Sequence, residues 1–74
     1  MGEVRLDVSP LPPPEPLEQI LNTLAALPPG DRLRVIHRRQ PFPLYDLLPQ
    51  MGYVWETEER ADGRFEILIR SAED

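Results

Sequence analysis

His37, followed directly by Arg38 and Arg39, is the sole histidine of the chain and the starting point for any chemistry. Its imidazole titrates nearest neutrality, which makes it the candidate general base or metal ligand. One histidine without companion ligands supports neither role well, and we read it as an ordinary strand-end residue. Arg32, Arg34, Arg38 and Arg39 gather half of the positive charge around the same stretch, a grouping that suits a carboxylate, a phosphate or an acidic partner. A solvated face balanced by acids is the favoured reading. Glu56, Glu58, Glu59, Asp62 and Glu66 form a later carboxylate constellation, for which solubility and protection of sheet edges are the simpler account. Tyr53 and Trp55 would suit a stacking platform, but strand parity with Phe65, Ile67 and Ile69 assigns them to a core. No glycine-rich phosphate loop, nucleophile elbow or metal-ligand spacing occurs. We therefore expect no enzyme, no catalytic residue, no cofactor and no metal.

The composition narrows the field further. The chain has no cysteine, which excludes disulfides, thiolate metal sites, persulfide carriage and cysteine nucleophiles. A secreted domain of 74 residues would ordinarily need disulfides, so a cytoplasmic setting is expected. A net charge of −5 argues against nucleic-acid binding, which works by neutralising phosphates with many cations. No apolar run approaches the ~20 residues of a membrane span, and no signal-peptide core is present. Met1-Gly2 would suit a myristoylation start, but Leu6 stands where serine or threonine is required.

The positioning elements are organised around residues 11–30. Leu17, Ile20, Leu21, Leu24 and Leu27 fall on one helical stripe, opposite Glu18, Gln19, Asn22 and Thr23. Pro14 and Pro16 suit a first turn, whose amides lack helical acceptors, and Glu15 complements the helix dipole. Pro28 forces Leu27 out of helical geometry, so the helix should stop there. Residues 4–8 alternate as a strand, with Val4, Leu6 and Val8 on one side. Residues 32–38 read as a second strand with Leu33 and Val35 inward, parallel to the first through a right-handed crossover. Pro43 opens a shorter helix with Leu44, Leu47, Leu48 and Met51 at helical spacing, which Pro49 should kink or shorten. Residues 53–58 and 64–70 alternate as two strands joined at Asp62-Gly63. The expected fold is a two-layer α/β sandwich, β-α-β-α-β-β. It is a single domain over residues 1–74 with a four-stranded mixed sheet, both helices on one face, and frayed ends at 1–2 and 72–74.

Parity then puts Ile36, Val54 and Leu68 on the opposite face, among Arg34, Glu56, Glu66 and Arg70. Nothing in so short a chain is expected to cover that face. An apolar group there reads either as a contact surface or as scattered surface hydrophobes.

Leu6-Asp7, the run Leu11-Pro12-Pro13-Pro14-Glu15-Pro16-Leu17 and the segment at residues 29–35 together resemble the TusA/SirA-like sulfur-carrier proteins. The resemblance implies the two-layer fold and a helix-start motif at Pro13, Pro14, Glu15 and Pro16. Those carriers hold a persulfide on a cysteine at that helix start, and the matching position is Pro13, so carrier activity does not transfer. The chain is more similar to a cysteine-free, uncharacterised branch, whose Pro-x-Pro-Leu helix start matches Pro41-Phe42-Pro43-Leu44. Members of that branch occur near hemerythrin-like and denitrification proteins. Some carry His-Asp before the motif, where Arg39-Gln40 stands here, and a metal or haem role is not carried over. The expected function is a non-catalytic interaction module docking through the open sheet face, in line with a redox or nitrogen-metabolism partner. It would be a monomer or weak homodimer with a protein partner and no nucleic acid or membrane. The alternative is a small-ligand or anion carrier using the start of the first helix and adjacent loops.

Overall fold

The computed structural model describes residues 2–73. Strand β1 (Glu3–Asp7), helix α1 (Glu15–Ala25), strand β2 (Arg32–His37), helix α2 (Phe42–Leu47), a 3-10 turn (Pro49–Met51) and strands β3 (Tyr53–Glu59) and β4 (Phe65–Ser71) follow in that order. The four strands form one mixed sheet in the order β1-β2-β4-β3, with β1 and β2 parallel and the other pairs antiparallel. Among the described residues no helix is long and apolar enough to cross a membrane.

The two-residue alternation of the strands and the helical stripes meet in one core. Val8, Leu33, Val35, Ile67 and Ile69 from the sheet side pack with Ile20 and Leu24 of α1 and with Leu44 and Leu48, all essentially inaccessible to water. Leu17, Leu21, Leu27, Tyr53, Trp55 and Phe65 are half-buried around them. Both helices thus cover the same sheet face, as the single stripe on each requires.

The prolines set the helix limits. Helix α1 ends at Ala25, two residues before the stripe does, because Leu27 precedes Pro28 and leaves helical geometry. The last turn tightens instead, with Leu27 N–H donating to Leu24 O at 3.2 Å. Pro49 likewise ends α2 at Leu47, and the chain continues as a 3-10 turn with Met51 N–H on Leu48 O at 3.1 Å. The tighter winding carries Met51 off the expected stripe, leaving it 44% exposed. Gly52 then closes the turn at φ 84°, a left-handed conformation that glycine adopts without steric cost. Between β3 and β4, Gly63 N–H donates to Arg60 O at 3.0 Å and Arg60 N–H to Arg64 O at 2.7 Å, a three-residue hairpin loop that starts β4 at Phe65.

The expected frayed ends fall partly on residues 1 and 74, outside the described residues. Gly2 is tied to Asp31 Oδ1 at 2.7 Å, and Ala72 N–H reaches Gly52 O at 2.9 Å. Ile67 is inaccessible on the helix side and Leu68 half-exposed on the other. Ile67→Glu should therefore abolish the cooperative urea transition, because it buries an unpaired charge, whereas Leu68→Glu should keep it with a native circular dichroism spectrum.

Candidate functional site

Cross-strand register places Arg34, Ile36, Val54, Glu56, Glu66, Leu68 and Arg70 together on the sheet face away from the helices. The expectation that nothing covers this face fails at Ile36, which is wholly inaccessible although it lies outside the main core cluster. Its sheet neighbours explain the burial. Ile36 pairs with Asp7 of β1 and Glu66 of β4, and both carboxylates belong to a belt of alternating charge. Arg34 forks onto Glu3, at 2.8 and 3.1 Å, and reaches Glu66 at 2.9 Å. Arg60 continues from Glu66 (3.7 Å) to Asp62 (3.5 Å). Arg64 grips Asp62 at 2.9 Å and returns to β1 at Asp7 (3.5 Å). The belt thus runs through both sheet neighbours of Ile36 on a face that no helix covers, where long side chains can shield apolar surface with their stems. What remains open is the β3 half of the face: Val54 and Glu56 are exposed, Leu68 and Arg70 half-exposed.

The belt sets the local electrostatics. The hydrogen bond from Arg34 holds Glu3 below its usual carboxylate range. Ser9 does the same for Asp7 through its hydroxyl and amide, and the Arg64 guanidinium does so for Asp62. Arg34 itself is held more firmly protonated by Glu3. The expected arginine cluster is thereby split: Arg34 is committed to the belt, while Arg38 and Arg39 sit beyond the far end of β2 with no ion pair among the described residues. Of the hairpin acids, Asp62 and Glu66 are ion-paired, and Glu56, Glu58 and Glu59 are exposed on the edge strand. Arg60 and Arg64 were not singled out from the sequence. Their positions flanking the Asp62-Gly63 turn were the available sign.

A second constellation forms where the two helices begin. Pro14-Glu15-Pro16-Leu17 and Pro41-Phe42-Pro43-Leu44 are the same Pro-x-Pro-Leu pattern, and each starts a helix with proline at the cap and the second helical position. The fold brings the prolines and leucines of both into the lining of one groove of about 390 Å³, completed by Pro13, His37, Arg39 and Gln40. Pro16, Pro41 and Leu44 are buried in its walls, while Pro13, Pro14 and Pro43 are exposed at its mouth. The repeat of this pattern was the overlooked signal in the sequence. Glu15 is exposed at the helix start and does not line the groove. Prolines at the cap and second position remove two of the four amide donors that each helix start would offer, and Glu15 N–H is spent on Pro12 O at 3.0 Å. Leu17 N–H has no acceptor among the described residues.

The polar side of the groove is built by the end of β2. Arg39 N–H donates to His37 Nδ1 at 3.0 Å, so the neutral ring carries its hydrogen on Nε2. Burial, reinforced by Arg38 and Arg39, pushes the His37 pKa down from its usual 6.5, which favours that neutral form. Gln40 accepts from Tyr45 OH at 3.3 Å, leaving its amide hydrogens free. Tyr45 is fixed in turn by Thr57 Oγ1 at 2.7 Å and by stacking on Trp55 at 5.2 Å, with Phe42 edge-on at 5.7 Å. Trp55 and Tyr53 thus serve packing, as strand parity indicated. Hydrogen-bond donors and apolar walls are what the groove offers. No group of three or more potential metal ligands exists among the described residues.

A family model described as "Uncharacterized conserved protein (DUF2249)" matches residues 5–71. No curated protein and no solved structure matches the chain.

Two measurements check these environments. Ile36→Ala should lower stability by about 2–5 kcal/mol in urea denaturation, whereas Val54→Ala on the open half should cost under ~1 kcal/mol. Stability should also fall in two steps on acidification. A lowered histidine pKa means the fold prefers the neutral ring, so the His37 contribution is complete above 6.5 and is lost as pH falls towards the folded value. The carboxylates of Glu3, Asp7 and Asp62 contribute above their ordinary values of 4.5, 3.8 and 3.8, and that contribution is lost as pH falls through their lowered folded values. His37→Gln should remove the upper step and leave the lower one.

Proposed function

The chain belongs to this uncharacterised conserved family, and from that premise we propose a non-catalytic binding module whose ligand occupies the groove between the two Pro-x-Pro-Leu helix starts. The observation that carries this reading is convergence. Two segments of one Pro-x-Pro-Leu pattern, far apart in sequence, line a single concavity that also collects the sole histidine and an arginine with no ion pair among the described residues. Apolar walls with a few convergent polar groups are the usual composition of a small-molecule site. The resemblance to the sulfur carriers adds support of its own kind, since the position matching their cysteine, Pro13, lines this groove. Without a thiol the module would hold its ligand non-covalently.

The docking of a protein partner on the open sheet face is the second reading. It rests on the exposed Val54 and the half-exposed Leu68, and the belt over Ile36 confines it to the β3 half. An NMR screen of small apolar fragments against the ¹⁵N-labelled chain separates the two. Hits should shift the amides of Leu17, Arg39, Gln40 and Leu44, and Gln40→Trp, folded by circular dichroism, should lose them. Shifts confined to Val54, Glu56, Leu68 and Arg70 would transfer the site to the open face.

A further inference from the structure

We infer that the groove selects small apolar monocarboxylates, an assignment that rests on the groove being the binding site. Its polar equipment is one-sided. Among the lining residues, the Arg39 guanidinium, His37 Nε2–H, the Gln40 amide hydrogens and Leu17 N–H, none with an acceptor among the described residues, are all donors. The one side-chain oxygen among the lining residues, Gln40 Oε1, already accepts from Tyr45 OH. No acidic residue lines the groove, although the chain carries thirteen of them.

The position of Arg39 is the sharper clue. Arg34, Arg60 and Arg64 find carboxylate partners, whereas Arg5, Arg32, Arg38, Arg39 and Arg70 have no ion pair among the described residues. Of these five, Arg39 is the one in the lining of the apolar groove. A planar guanidinium beside apolar surface recognises a carboxylate through two parallel hydrogen bonds. His37, kept neutral by its surroundings and with Nδ1 already satisfied, can add a third donor.

The same geometry disfavours rival ligands. A phosphate dianion is held by clustered backbone amides at a helix start, and here Pro13, Pro14 and Pro16 have none to give. A metal ion would need acceptor ligands that the groove does not offer. A cation would meet Arg39 with no acid to offset it. The walls of proline, Leu17 and Leu44 favour an alkyl or aryl body, and about 390 Å³ lies near the lower end of small-molecule sites. That size suits a compact free acid better than a longer peptide.

The test is a set of NMR titrations of the full chain with benzoate, phenylacetate and hexanoate, their three primary amides and inorganic phosphate. The carboxylates should bind at least tenfold more tightly than the matched amides, shifting Leu17, His37, Arg39 and Leu44. Arg39→Gln keeps the backbone amide that orients His37. It should weaken the carboxylates at least tenfold and leave the amides unchanged, while Arg70→Gln on the other face should alter neither. Equal affinity of acids and amides in the groove would overturn the carboxylate assignment and leave the binding site standing. Phosphate binding as well as benzoate would overturn it in favour of a general anion site. Binding of a short apolar peptide through its free C-terminus, with the free acids inert, would overturn the small-molecule source. No shift in the groove with any probe would overturn this inference and the groove reading together.

Discussion

Proline has a locked φ and no amide hydrogen, and those two restrictions govern this chain at every helix boundary. Pro14 and Pro16 begin α1, Pro41 and Pro43 begin α2, and Pro28 and Pro49 end them. A helix start is ordinarily a set of free amides that draws anions, and here the prolines replace it with an apolar rim. The element that shapes the fold thereby also shapes the groove, which is walled by the residues that make each helix begin.

Charge is distributed with a similar division. On the far side of the sheet, arginines and carboxylates alternate across β1, β2, β4 and the hairpin loop, and the belt includes both sheet neighbours of the buried Ile36. A sheet covered by helices on one face alone leaves its central strand exposed on the other, and an interlocked belt is one answer to that exposure. Half-exposed ion pairs contribute little individually because water screens them. At the other end of β2, Arg38 and Arg39 stand outside this network, as Arg5, Arg32 and Arg70 do elsewhere, and Arg39 is the unpaired arginine in the lining of the groove.

Much of the architecture was legible from residue spacing. Alternation at Leu33, Val35, Ile67 and Ile69 and the helical stripe through Ile20 and Leu24 fixed which side chains share a core, because strand and helix periodicity are local properties of the backbone. The shortening of α2 at Pro49 was equally local, since a missing donor and a steric clash act within one turn. Met51 was misplaced for the same reason seen in reverse: the helical period was extended past a residue that changes the winding.

Three outcomes belonged to the tertiary structure alone. Ile36 looked exposed because parity tells the face of a residue, not what long side chains from other strands lay over it. The arginines read as one cluster because they are near in sequence, yet register hands Arg34 to Glu3 and Glu66 and leaves Arg39 at the groove. The two Pro-x-Pro-Leu segments carried no evident relation until the parallel pairing of β1 and β2 set both helix starts beyond the C-terminal ends of those strands. Periodicity is written residue by residue along the chain, so the sequence determined the elements and their faces. Burial by a salt-bridge belt and the closing of a groove depend on which distant segments become neighbours, and that is decided only when the strands choose their partners.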